Sequence, residues 1–218
     1  MIKKCILLIF LVLFAGNLNA ETKTYKMVFV PASEKGDESD YTSLIAITEK
    51  LTGLNIETIK VTDYNAAVEA MRAGRAHIAW YGGKTYVKAA EIASAEAFAA
   101  GVRPGEKDAG YYTYFVVKQD SKLKEFKNVK GKILSLNTIG STSGDLIPQV
   151  ELSKINLSIK DKDHFDKVYY AGSHDACLLA VLNNQSDVCG MSSRNFEARL
   201  EDGTFKKEDV RIINKSDR

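Results

Sequence analysis

The chain has 218 residues, 45% hydrophobic and 27% charged, with three prolines, which excludes disordered, collagen-like and low-complexity classes. Lys3 and Lys4 sit in an acid-free start, so from Glu21 onward the chain carries 28 charges of each sign and is neutral. A neutral chain without a basic run has no electrostatic footprint for nucleic acid.

Residues 1–20 read as a two-lysine head, an apolar run over 6–15 and a short polar tail ending at Ala20. That run is too short to cross roughly 30 Å of hydrocarbon as a helix, so it reads as a cleavable signal peptide. The expectation is an exported, periplasmic chain with no membrane insertion after cleavage. Cys5 leaves with the leader, and Cys177 and Cys189 remain. They read equally as two buried thiols or as one disulfide. With His77, His164 and His174 in no compact spacing, neither a metal site nor a cofactor is expected.

In chain order, a strand is expected over 25–31 and a polar loop over 34–40, with Asp40 capping a helix over 41–51. A strand over 55–61 follows, then a helix over 64–73 capped by Asp63, a strand over 77–81 and a helix over 84–92. This alternation implies a parallel sheet, with ligand positions at the carboxyl ends of its strands. Those positions are 39–41, which includes Tyr41, and 81–83, where Tyr81 stands beside two glycines. Strands over 95–102 and 111–118 come next. A second α/β series has a short helix over 123–128, a strand over 133–137, a helix over 143–153 and a strand over 168–171. It ends with a helix over 174–183, a strand over 187–191, a helix over 194–201 and a strand over 210–213.

Two strand-to-helix junctions carry the chemistry. Asn137-Thr-Ile-Gly-Ser-Thr-Ser-Gly144 brings Ser141, Thr142 and Ser143 to a helix start whose first amides lack carbonyl partners. An ordinary cap needs one hydroxyl; three suit an oxyanion. The lysine of a nucleotide-binding P-loop is missing. At the second junction, Gly172-Ser-His-Asp-Ala176, Ser173 caps the helix and His174 stands in its first turn. Asp175 serves the helix dipole. No GxSxG elbow is present, and adjacent His and Asp side chains diverge on a helix, so no enzyme activity is expected.

These pieces, with Val30-Pro31, Asp63-Tyr64 and Ala79-Trp80-Tyr81-Gly82, resemble the periplasmic phosphonate-type substrate-binding proteins of ABC importers. The resemblance implies an α/β, two-lobed, type II periplasmic binding fold that closes on one small ligand. It also implies oxyanion contacts from Ser141, Thr142, Ser143, Tyr81 and His174, with Tyr41 a weaker transfer. The implied function is capture of phosphonate, phosphite or phosphate and delivery to a membrane permease. An exported sensor module for a similar anion, or an exported hydrolase, is the alternative. The expected organisation is a leader at 1–20, lobe one at 21–117, lobe two at 118–213 and the start of a return crossing at 214–218. Chains of this family continue beyond that crossing, so lobe one is expected to be truncated at the C-terminus.

Overall fold

β1, Thr24–Phe29, is buried on both faces along its second half, Met27 to Phe29, as the central strand of a covered sheet must be. Alternation sends Val28, and Val30 just beyond the strand, against Tyr64, Ala67 and Ala70. Met27 and Phe29 go the other way, toward Ile56, Tyr41, Ile45 and Trp80. The computed structural model describes residues 23–33, 41–103 and 105–217. The expected leader, the polar loop over 34–40 with Ser39, and the Asp40 cap lie outside them.

β1 is flanked by β2, Asn55–Ile59, and β3, Ile78–Trp80, in the order β2-β1-β3 with both pairings parallel. The connecting helices are α1, Thr42–Thr52, and α2, Tyr64–Arg72; α3, Gly83–Ala93, follows β3. The Asp63 carboxylate caps α2 by accepting from the Ala66 amide at 2.9 Å. α1 starts after Tyr41 with no side-chain cap bond.

The expected strand over 95–102 is not formed: residues 94–103 have no regular structure. AEAFAAGV is alanine-rich, and its large apolar side chains, Phe98 and Val102, are both exposed, Phe98 by 83%. Arginine bonds to the second lobe hold this stretch instead. The Arg194 side chain donates to the carbonyls of Gly101 and Ala109, and that of Arg103 donates to Glu197 and the Arg194 carbonyl.

The second lobe contains β4, Thr113–Lys118; β5, Ile133–Leu136; β6, Lys167–Tyr170; β7, Val188–Ser192; and β8, Val210–Lys215. Their order is β6-β5-β7-β4-β8. β5 is parallel to β6 and β7, whereas β4 runs antiparallel to β7 and β8. Its helices are α4, Ile147–Ser153; α5, His174–Leu182; and α6, Ser193–Glu201. Phe115, Val117, Leu134, Leu136 and Leu152 fill one face of the sheet. Val116, Leu178, Val181 and Met191 fill the other.

Two expected helices differ. Residues 123–128 give only a 3-10 turn, Phe126–Asn128. The helix expected over 143–153 splits into a π-helical turn, Thr142–Leu146, and then α4. Pro148 has no N–H for the Gly144 carbonyl, which accepts from the Asn137 amide at 3.0 Å instead. Cys177 and Cys189 are joined as a disulfide, with Cα atoms 5.6 Å apart, tying α5 to β7.

Candidate functional site

The segment 137–145 leaves the carboxyl end of β5 and turns back as a tight polar loop. Gly140 has φ +100, which favours glycine, and a Cβ there would also crowd the Tyr64 Cβ at 3.1 Å. Gly144 is as constrained, since its Cβ would come within 2.2 Å of the Asn137 Cβ. Ser141 caps the turn by accepting from the Gly144 amide at 3.1 Å. Ser141 and Ser143 are buried, while Thr142 is partly exposed. The Thr142 Oγ1 accepts from the Lys84 amide at 2.9 Å. The Ser143 carbonyl accepts from Thr113 Oγ1. The first amides of such a turn have no carbonyl ahead of them, which leaves them to a ligand or water.

Asp145 is the buried anchor of the loop. Its Oδ2 accepts from Gly140 N at 2.9 Å and Lys84 Nζ at 2.5 Å. Its Oδ1 accepts from Tyr170 Oη at 2.8 Å and Gln149 Nε2 at 2.7 Å. Burial pushes the carboxyl up, but the bonds from Lys84, Gly140 and Tyr170 outweigh it and hold it below its ordinary range. The Tyr170 hydroxyl is pushed up by burial and by that carboxylate.

His174 lies behind the loop, 2% exposed. Its Nδ1 accepts from the Ser192 amide at 3.2 Å, and its Nε2 lies 3.1 Å from the Asn137 side-chain amide. Burial lowers its pKa to about 3, so the ring is neutral at physiological pH, with its proton on Nε2. That proton needs an acceptor, which Asn137 supplies through its amide oxygen with the amide plane turned over. Sequence reasoning put His174 beside the anion as a donor. In the structure both ring nitrogens are engaged inside the protein, so His174 meets the loop from behind.

Tyr81 and Tyr41 are not gathered at the loop as donors. The Tyr81 hydroxyl donates to the Ala67 carbonyl at 3.1 Å, and burial raises its pKa to about 12. The Tyr41 ring stacks on Phe29 at 4.7 Å and leans on Trp80. Asp175 does more than face a helix dipole: its Oδ2 accepts from Ser33 Oγ at 2.8 Å, and Arg199 lies beside Oδ1. Sequence reasoning missed four residues. Tyr64 approaches Asn137 with its hydroxyl, 3.3 Å away. Lys84 and Thr85 bring the start of α3 onto the loop, and Asp145 holds it. GSTSG-D reads as a helix start, and two of the partners of Asp145 are remote in sequence, Tyr170 by 25 residues and Lys84 by 61.

A cavity of about 340 Å³ adjoins Thr142 and Ser143, walled by Tyr111, Tyr112, Ile147 and Val150. Among the described residues no three His, Cys, Asp or Glu side chains are grouped to hold a metal ion. No helix among them is long and apolar enough to cross a membrane.

Residues 27–218 match the family described as the periplasmic substrate-binding protein of the phosphonate ABC transporter. The chain belongs to this family. It is 28% identical over 190 residues to the phosphonates-binding periplasmic protein of Escherichia coli K12, covering 84% of this chain and 54% of that protein. It is likewise 28% identical over 204 residues to the phosphate-import protein PhnD of Mycolicibacterium smegmatis, covering 89% of this chain and 63% of that one. The chain thus spans a little over half to just under two thirds of the length of these relatives. Among solved structures, the binding component of an ABC phosphonate transporter from Pseudomonas aeruginosa superposes with a TM-score of 0.80 at 25% identity, over 90% of this chain and 66% of that one. PhnD1 of Prochlorococcus marinus, solved with methylphosphonate, shares the fold with a TM-score of 0.75 at 22% identity, over 90% and 73%. The two-lobed α/β fold is therefore that of periplasmic binding proteins.

Proposed function

We propose that this chain captures a small phosphorus oxyanion, such as phosphonate, phosphite or phosphate, for an ABC importer, and does no chemistry on it. The observation that carries the reading is the turn at 140–145. Thr142 presents a hydroxyl, and the amides of Thr142 and Ser143 begin a helical segment, inside a loop braced on both sides. Because Thr142 Oγ1 already accepts from Lys84, its own proton is left to donate to an anion.

In this proposal Thr142 and the loop amides hold the anion, and Ser141 and Ser143 shape the loop from inside. His174 supports it from behind through Asn137. Tyr41 and Tyr81 contribute cleft surface, Tyr81 with its hydroxyl committed to Ala67. The adjoining cavity has room for a small substituent on phosphorus. His174 is not free to act as a base, since both its nitrogens are engaged by Ser192 and Asn137. Names of relatives that specify phosphonate and phosphate support the ligand class, and the leader-like residues 1–20 support export to the periplasm.

Equilibrium dialysis with methylphosphonate, phosphite and phosphate tests the reading, followed by assay of the ligand recovered. Saturable binding of at least one, returned unaltered, is expected. Absence of binding to all three, or release of hydrolysed product, refutes it.

A further inference from the structure

We propose that Lys84 is a positioning residue that latches the first lobe onto the anion turn by neutralising Asp145, leaving the anion to uncharged donors. The inference rests on the functional reading above and names how that site closes.

Asp145 is 2% exposed, and a buried carboxylate is unfavourable unless it is both paired and hydrogen-bonded. Of the four donors to its carboxylate, Gly140 N, Tyr170 Oη and Gln149 Nε2 are uncharged and belong to the second lobe. The fourth, Lys84 Nζ, brings the positive charge and comes from α3 of the first lobe. Separating the lobes would strip Asp145 of that charge, so its burial favours docking.

The start of α3 makes two more bonds to the turn. The Lys84 amide donates to Thr142 Oγ1 at 2.9 Å, and Thr85 Oγ1 donates to the Gly140 carbonyl at 2.9 Å. Docking therefore sets the direction of the Thr142 proton before any ligand arrives. With its ammonium on Asp145, Lys84 contributes through closure and not through attraction of the ligand's charge. A direct ion pair to the ligand would speed association and make it steeply salt-dependent; a latch slows release.

Lys84→Met keeps the alkyl stem, and a third of the lysine side chain is solvent-exposed, so the substitution opens no void, and circular dichroism matching the wild type checks that the variant folds. Fluorophores on Glu57→Cys and Lys160→Cys, both exposed and on different lobes, report the separation of the lobes. Without ligand, Lys84→Met should lower the transfer efficiency relative to wild type, and Lys84→Arg should restore it in part. With methylphosphonate in stopped flow, dissociation should accelerate about tenfold, as loss of one charged hydrogen bond implies, while the salt dependence of association stays unchanged.

Unchanged transfer efficiency in ligand-free Lys84→Met overturns the latch. A flattened salt slope of association also overturns it, by assigning the ammonium to the ligand. If wild type responds to none of methylphosphonate, phosphite and phosphate, the functional reading fails, and the ligand-free comparison still decides the latch.

Discussion

Thr142 carries the anion turn's most exposed hydroxyl, and its bond from Lys84 leaves one proton to give. A hydrogen bond to a charged group contributes roughly 1.5–3 kcal/mol, so Thr142→Val should weaken binding about tenfold to a hundredfold. Circular dichroism should stay that of the wild type, because Thr142 is not part of either core cluster. Equal affinity in the variant would reduce the segment to a helix cap. Gly144 makes the opposite prediction, a loss of stability. Its added Cβ would meet the Asn137 Cβ at 2.2 Å and the His174 Cε1 at 2.9 Å, both in the interior. Overpacking of this kind costs typically about 1–3 kcal/mol or more, so Gly144→Ala should lower the melting temperature by several degrees. An unshifted melt would show that the loop relaxes freely.

His174 gives a pH prediction. Its pKa falls from 6.5 to about 3 on folding, so between those values the unfolded chain binds more protons than the folded one. Stability is therefore full above about pH 6.5 and declines as pH falls toward 3. Carboxylates scarcely titrate between pH 7 and 5, so urea unfolding at those two values isolates the histidines. His174→Asn should flatten the difference, and an undiminished difference would place the proton elsewhere.

Most strands and helices were legible because they obey simple periods. Val28 and Val30 against Met27 and Phe29 split cleanly between two faces, as period two requires. Asp63 and Ser173 mark helix starts and do cap them. The stretch over 95–102 was misread because its order comes from Arg194 and Arg103, and no local pattern encodes those bonds. The π-helical turn was hidden for a similar reason: Pro148 signals a missing donor, but not that Asn137 takes the Gly144 carbonyl. At the site, the Ser-Thr-Ser segment was legible by composition, while Lys84, Tyr64 and Asp145 join it through tertiary contacts.

The disulfide belongs to this scale too. Cys177 sits in the second turn of α5 and Cys189 in β7, 12 residues apart and bracketed in sequence by the His174–Ser192 bond. Closing a loop of that length stabilises by about 3 kcal/mol in the chain-entropy estimate. Intact mass should rise by about 2 Da on reduction of the denatured protein, two hydrogens for one bond. Cys177→Ala with Cys189→Ala should melt lower, and an unchanged mass with an unchanged melt would mean two free thiols.

Across the whole molecule, α3 of the first lobe meets the turn at 140–145 of the second through Lys84 and Thr85, and Tyr64 enters from α2. These contacts put the anion turn at the boundary between two sheets, where closure can exclude water from a small ligand. The family match over residues 27–218 and the fold shared with periplasmic binding proteins fit that placement. The central claim is that a phosphorus oxyanion is held at this turn by uncharged donors. A crystal structure with methylphosphonate tests it most directly. The account predicts phosphonate oxygens within hydrogen-bond distance of Thr142 Oγ1 and the amides of Thr142 and Ser143, with Lys84 Nζ still on Asp145. An anion bound away from the turn, or held by Lys84 with Asp145 abandoned, would contradict it.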